Sequence, residues 1–304
     1  LSVQDGWAIW RRLRDASHIA SKTCACLTCT DDRRMLGCEN PHSCAKAVET
    51  RFNSFLPKWD PRLATSADDE EGKENRGDSG VSFVGPKRIK TLTEGFRVFT
   101  KHSAVPEQEV CHARREPPTH DLLPIKVWIS GATKRNNEGV DRAGAGVWFG
   151  QADPRNQSIL IPTTTGQTVS NSETIAAILA LLEVGPMADI EITSSRHFIQ
   201  KAMTQQLAKW EDNGWISVPD RLPLQVLAAE LKQRTGKTTL GITDEESDST
   251  AKAAAEKASR LVREGCRNQS EVEIPLQVAP EMVLRGAKLS TLTQAVMYAG
   301  IKEL

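Results

Sequence analysis

The side chains best equipped for chemistry in this chain are soft metal ligands. Cys24-Ala25-Cys26-Leu27-Thr28-Cys29 is followed, beyond Gly37, by Cys38-Glu39-Asn40-Pro41-His42-Ser43-Cys44. A C-x2-C pair sets two thiolates on one knuckle, and a second pair of ligands beyond a turn closes a tetrahedral cage of the kind that holds structural Zn²⁺. Cys26, Cys29, Cys38 and Cys44 are the expected zinc set, with His42 the alternative for the fourth position and Cys24 a spare thiol. The competing reading is a loop of free thiols, and the paired spacing favours the metal. Such an ion would do no reaction; it would hold together a segment too short to fold on its own core.

On the N-terminal side of the cysteines, residues 3–16 place Val3, Trp7, Trp10 and Leu13 at helical spacing, with Arg11, Arg12 and Arg14 in the last turns where the helix dipole favours cations. On the other side, a helix over 45–55 is stopped by Leu56-Pro57-Lys58-Trp59-Asp60-Pro61. Residues 66–80 are acidic, Gly-rich and almost free of large apolar side chains, a disorder signature. A short strand is expected over 95–99, and Cys111-His112 reads as an isolated surface pair.

The chain then becomes regular. Lys126-Val127-Trp128-Ile129-Ser130-Gly131 alternates apolar and polar residues, and Ala143-Gly144-Ala145-Gly146-Val147-Trp148-Phe149 is a small-residue strand, so the two read as a hairpin. Next come a strand over 156–162, an Ala-, Leu- and Ile-rich helix over 170–184, a strand over 190–193 and a helix over 195–206. An aromatic corner from Trp210 to Trp215, a helix over 221–233, a strand over 238–242 and an Ala-rich helix over 249–262 complete it. The order β-β-β-α-β-α-α-β-α implies an α/β (α+β) mixed sheet flanked by helices. A tail follows, with a helix for which Ser290 is the expected cap. The expected division is residues 1–20 as an N-terminal helix, 21–63 as the Cys-rich module, 64–124 as a largely disordered linker, 125–265 as the mixed α/β domain and 266–304 as the tail helix.

The 304 residues suit one ordinary core plus smaller modules. Lys+Arg and Asp+Glu both number 39, so no global field draws the chain to a polyanion, and any nucleic-acid binding must come from a local patch. No apolar run is long enough for a bilayer span and no signal-peptide pattern opens the chain, so no membrane partner is expected. Seven cysteines, an odd number, fit a reducing cytoplasmic or nuclear setting better than a disulfide framework. The start at Leu1, without an initiator Met, leads to the expectation of a fragment of a longer polypeptide or a processed product.

Four motifs together resemble the type 1 ribonuclease H domain of fungal retroelement polyproteins: the Gly144-x-Gly146 hairpin, the Asn171-Ser172-Glu173 helix start, the corner Trp210-Glu211-Asp212-Asn213-Gly214-Trp215, and the tail Gly286-Ala287-Lys288-Leu289-Ser290. The Cys-rich block with its Leu56-to-Pro61 stop resembles the segment that precedes that domain. The resemblance implies a ribonuclease H-like mixed sheet and a site that cuts the RNA strand of an RNA/DNA hybrid. Two Mg²⁺ ions roughly 3.5–4 Å apart do this work in a cluster of carboxylates. Carried over motif by motif, the four acid positions fall on Ser130, Glu173, Ser194 and Lys252, so only Glu173 survives. The family carries a His that assists turnover in the loop before the closing helix, and residues 243–250 contain no His. Catalytic magnesium and hydrolysis are therefore not expected.

Binding could outlast cleavage, because the family reads hybrids through phosphates and sugar hydroxyls. Lys134, Arg135, Arg196, His197 and Lys201 are the candidate nucleic-acid contacts, and the partners implied are an RNA/DNA hybrid and upstream polyprotein domains. Two other functions compete: an active nuclease using Asp244, Glu245, Glu246 or Asp248 as substitute acids, and a zinc-knuckle interaction module. Two local expectations concern Glu173. Ser170-Asn171-Ser172-Glu173 could be a capping box, and Lys252 could stand in for a metal ion and lower the Glu173 pKa.

Overall fold

The computed structural model describes residues 2–63, 80–81, 91–99, 123–135, 139–243, 274–278 and 286–303, with single positions 253, 256, 257, 260, 263 and 282. Helix α1 (Val3–Arg11) opens on a capping box in which the Ser2 hydroxyl accepts from the Asp5 amide at 3.1 Å and the Asp5 carboxylate accepts from the Ser2 amide at 2.9 Å. A 3₁₀ turn over Arg12–Arg14 ends it. Helix α2 (Leu27–Leu36) stops at Gly37, whose φ of +62° makes the left-handed cap that glycine tolerates best. Helix α3 (Pro41–Asn53) starts with proline in its first turn and the Asn40 side chain as cap. Arg12, 4% exposed, ties the three together: it pairs with Asp32 of α2 and donates to the Pro41 carbonyl at the head of α3.

The remaining elements, in chain order, are β1 (Gly80–Val81), α4 (Leu92–Gly95), β2 (Arg97–Val98), β3 (Ile125–Arg135), β4 (Asp141–Trp148), β5 (Gln157–Leu160), α5 (Val169–Val184), β6 (Ile190–Ser194), α6 (Phe198–Lys201), α7 (Leu207–Asp212), α8 (Arg221–Gln233), β7 (Thr238–Ile242), β8 (Ala287–Lys288) and α9 (Gln294–Glu303). Six strands form one sheet in the order β1-β7-β6-β3-β4-β5. The pairs β3–β4, β4–β5 and β1–β7 are antiparallel, while β3–β6 and β6–β7 are parallel. This is the mixed sheet that the element order implies, with the ribonuclease H-like arrangement that the resemblance implies, observed as far as β7. The expected closing helix over 249–262, with Lys252, lies outside the described residues apart from isolated positions.

Helix α5 is the core of the domain. It is apolar around most of its circumference, and Ile175, Ala176, Ala177 and Ile178 have no exposed surface, as expected for a helix covered on all sides. It packs on β3 and β4 and is backed by α8. Period-two alternation in β3 turns Val127 and Ile129 toward the core. Gly131 on the same face is indispensable, since a Cβ there would lie 2.6 Å from Ser172 Cβ and 2.7 Å from the Glu173 amide nitrogen.

Three expectations change. Within the stretch expected as linker, β1 extends the main sheet, and β2 pairs with β8 of the tail; the other residues of that stretch, including Cys111 and His112, lie outside those described except 91–96, 99, 123 and 124. The helix expected over 195–206 begins at Phe198 and passes through a π turn over Ala202–Gln206 into α7. Ser290 is buried in a 3₁₀ turn and is not the tail cap: Thr293 Oγ1 accepts the Val296 amide at 3.2 Å and takes that role. The tail is fastened along the Trp210–Trp215 corner. Arg97 Nε donates to the Gly286 carbonyl at 3.1 Å, and a second guanidinium nitrogen reaches the Glu211 carbonyl. Lys288 pairs with Asp212 at 3.4 Å, and Glu303 accepts from the Ser217 amide at 2.8 Å and from Arg221 at 2.6 Å.

Candidate functional site

The C-terminal end of β6, the middle of β3 and the first turns of α5 meet at one place. The β3–β6 register sets Ile129 opposite Ser194, and the close approach of Gly131 to α5 brings the strand at Ser130 against the backbone of Glu173. Glu173 is 1% exposed, Ser194 4% and Ser130 9%. The capping box expected for Ser170 and Glu173 does not form. Thr168 caps α5 by accepting from the Asn171 amide at 3.1 Å, which starts the helix one residue early and frees the Glu173 side chain to turn inward.

Inside, Glu173 Oε1 accepts a 2.8 Å hydrogen bond from the Ser194 hydroxyl, whose oxygen in turn accepts the Arg196 amide at 3.2 Å. Glu173 Oε2 is buried with no hydrogen-bond partner among the described residues. Burial pushes the carboxyl above its ordinary value, and the Ser194 hydrogen bond and the Arg196 charge oppose this only in part. The expectation of a Glu173 pKa lowered by Lys252 is thus reversed in direction, and Lys252 itself lies outside the described residues. One carboxylate and the Ser194 hydroxyl are a poor donor set for two divalent ions, which take hard, mainly anionic oxygens, and Ser130 brings no acid of its own. The described residues at this site do not fit a two-Mg²⁺ centre. The substitute acids Asp244, Glu245, Glu246 and Asp248 lie outside the described residues.

The candidate nucleic-acid contacts fall into two groups. Arg196, His197 and Lys201 are exposed beyond Ser194, the first two just ahead of α6 and Lys201 at its end. Lys134 and Arg135 are exposed at the far end of β3, four and five residues past Ser130, or roughly 13–17 Å along the strand. Arg135 is also engaged by Asp141 at 3.3 Å. Sequence reasoning missed a cavity of about 240 Å³ beside the first group. Its walls include Thr168 and Asn171 from the head of α5, Phe198, Trp210 and Asp220. Asn171 Oδ1 is buried there without a partner among the described residues. The spacing of Phe198 and Trp210 across a π turn hides their common wall from any simple helical period.

The Cys-rich module brings together a different quartet from the expected one. His18, Cys24, Cys26 and Cys29 place their ligand atoms within 4.8 Å of one another, a group that could hold a metal ion. Cys26 and Cys29 belong to it. Cys38 and Cys44 do not; their sulfurs lie 3.3 Å from each other, beyond the end of α2 and in the first turn of α3. His42 is not in the quartet either and instead touches His18. Cys24, read as a spare thiol, accepts the Ile19 amide at 3.2 Å, which brings its pKa down to about 7, while burial pushes Cys29 up to about 12.

No helix among the described residues is long and apolar enough to cross a membrane. No protein-family model matches the chain. Among curated proteins it is similar to "Ribonuclease H" of Schizosaccharomyces pombe (strain 972 / ATCC 24843), 34% identical over 87 residues, which is 29% of this chain and 32% of that protein. The chain therefore spans about a third of the length of this relative. Similar solved structures include a foamy viral protease-reverse transcriptase in complex with RNA/DNA hybrid, at 15% identity and a TM-score of 0.40 over 55% of this chain and 24% of that one. Another is LC9-RNase H1, a type 1 ribonuclease H with the type 2 active-site motif, at 15% identity and a TM-score of 0.38 over 60% and 87% of the two chains. The chain carries a segment homologous to ribonuclease H.

Proposed function

We propose that this chain is a ribonuclease H-like protein of retroelement origin that binds RNA/DNA hybrid without cutting it. The observation that carries the reading is the 2.8 Å hydrogen bond from Ser194 to Glu173. In the resembled family both positions hold metal-binding acids. Here the serine hydroxyl engages the remaining carboxylate, and burial raises that carboxyl's pKa, which disfavours the anion a metal would need. A hydroxyl in place of an acid also removes a unit of negative charge from the point where two dications would have to be neutralised.

Binding is supported by the exposed side chains of Arg196, His197 and Lys201, which adjoin this site, and by the cavity beside them walled by Phe198 and Trp210. Cations that track phosphates and aromatic faces that accept bases are the two ingredients of sequence-tolerant strand binding. In the same reading the Cys-rich module is a structural zinc unit, because three sulfurs and an imidazole are the donors zinc prefers.

The test is one gel. The full chain is incubated with end-labelled RNA/DNA hybrid and Mg²⁺ or Mn²⁺, and retention and cleavage are scored together. Retention without cleavage is expected. Replacing Arg196 and Lys201 by Glu should weaken retention and flatten its salt dependence by about one unit of slope for each phosphate no longer neutralised. Mg²⁺-dependent cleavage that Glu173→Gln abolishes would overturn the proposal, and so would the absence of any retention at low salt.

A further inference from the structure

The surroundings of His18 say more than that a metal could sit there. Its Nδ1 lies 3.4 Å from Cys24 Sγ, 3.8 Å from Cys26 Sγ and 3.4 Å from Cys29 Sγ. A ring nitrogen has one lone pair or one proton, so it cannot make a hydrogen bond with three thiols at once. One ion at the centre removes the conflict. With Zn–S near 2.3 Å and Zn–N near 2.0–2.1 Å, tetrahedral angles place each sulfur roughly 3.5–3.6 Å from the nitrogen. The three observed distances straddle that value.

The other nitrogen of the same ring is also fixed. His18 Nε2 lies 3.0 Å from His42 Nδ1, with the two rings 24° from parallel. If Nδ1 is on the metal, Nε2 keeps its proton and donates it, so His42 must accept through an unprotonated Nδ1 and carry its own proton on Nε2. Both tautomers then follow from one ion. His42 is well placed to impose this, because it stands in the first turn of α3, whose start is set by the Asn40 cap and by Arg12 reaching the Pro41 carbonyl at 3.4 Å. Arg33 of α2 donates to the Cys24 carbonyl at 2.7 Å and steadies the knuckle.

We infer that a single zinc ion is held by His18 through Nδ1 with Cys24, Cys26 and Cys29, and that His42 is a positioning residue that orients the His18 ring by accepting its Nε2 proton. This rests on the structural-zinc reading above and deepens it. Partners in this outer position are worth about 10- to 100-fold in metal affinity. Cys38 and Cys44 take no part in holding the ion.

The experiment uses the full chain, zinc-loaded and then exchanged to Co²⁺, with affinity read by competition against a chromophoric chelator. One ion per chain and a tetrahedral three-sulfur, one-nitrogen Co²⁺ spectrum are expected. His42→Ala should weaken binding by about 10- to 100-fold while keeping that stoichiometry, and His42→Gln, whose amide oxygen can accept the same bond, should recover most of the loss. Long-range proton–nitrogen correlations should show His18 metallated at Nδ1 and protonated at Nε2. Cys38→Ser and Cys44→Ser should bind as the parent does. If either serine variant loses the ion as Cys26→Ser does, the ligand set is wrong. If His42→Ala binds like the parent, or His18 is metallated at Nε2, the positioning role is wrong although zinc stands. If the parent chain binds neither Zn²⁺ nor Co²⁺, the structural-zinc reading itself fails.

Discussion

Replacing Glu173 by Gln should make the protein more stable at neutral pH and leave it unchanged in acid. The carboxyl is 1% exposed and, among the described residues, has one hydrogen bond for its two oxygens, the 2.8 Å bond from Ser194. A glutamine amide oxygen can accept the same bond, so the substitution removes the charge and keeps the partner. Leaving a buried polar group unsatisfied costs about 1–3 kcal/mol, and more when it is charged. The glutamine amide nitrogen takes the unpartnered place of Oε2, so the expected gain near pH 8 is the charge penalty alone, about 1.4 kcal/mol for each pH unit between the unfolded and folded values, or roughly 2–4 °C in Tm per kcal/mol for a domain of about 150–250 residues.

The pH dependence makes the test specific. In the unfolded chain Glu173 gives up its proton near its ordinary value of 4.5, whereas in the fold it keeps the proton to higher pH. Stability from this group is complete below the unfolded value and falls as pH rises through the folded one, by about 1.4 kcal/mol for each unit between the two. Urea unfolding of the parent and Glu173→Gln from pH 4 to pH 8 should give curves that coincide in acid and separate above it. The reasoning is refuted if the parent instead gains on the variant as pH rises, for that would mean a stabilised carboxylate. A midpoint that Mg²⁺ raises in the parent alone would refute it too, since it would make Glu173 a working metal ligand.

Gly131→Ala should destabilise by about 1–3 kcal/mol or prevent folding, because its Cβ would press on Ser172 Cβ and on backbone atoms of Glu173 and Val169 that cannot swing aside; unchanged urea unfolding would show that the strand and helix do not approach this closely. Lys232, its side chain 1% exposed and paired with Glu211, should cost about 3–5 kcal/mol as Lys232→Ala, whereas Lys232→Met combined with Glu211→Gln should cost less. Equal losses in the single and double variants would remove the argument that an isolated buried charge is what hurts.

Much of the domain was legible because its elements obey a period. The alternation in β3, the apolar helix α5 and the boundaries of α8 and β7 are written into consecutive residues. What escaped was non-local or had no period. Strands β1 and β8 are two residues long, so nothing marks them before their partners are known, whereas β2 falls within the strand expected over 95–99. Ser170-x-x-Glu173 has the form of a capping box, yet Thr168 two residues earlier wins the cap, because two hydroxyls compete for one helix start and the pattern does not rank them. The group that the fold brings within ligand reach differs from the expected one for a related reason. Cysteine spacing suggested two pairs, but His18 is carried to the knuckle by the turn after Arg14, where Asp15 accepts from the Ser17 and His18 amides, and no sequence period marks it.

The site's geometry also depends on the segment that follows the domain in sequence. Gly214, Trp215, Ser217 and Asp220 all have positive φ, between 48° and 66°, in a stretch that leads from the aromatic corner to α8. Non-glycine residues in that region cost on the order of 1–3 kcal/mol each and persist only where their surroundings over-determine them. Here the surroundings are the tail: Gly214 abuts the backbone of Gly286, Lys288 holds Asp212, and Glu303 takes the Ser217 amide and Arg221 together. The far end of the stretch, Asp220, accepts the Thr168 hydroxyl at 3.1 Å and seats against Gly166, where any Cβ would collide with it. Thr168 is the cap that sets where α5 begins, and so which way Glu173 points. A chain of contacts therefore runs from the tail through this stretch and Asp220 to the Thr168 cap, five residues before the buried carboxylate.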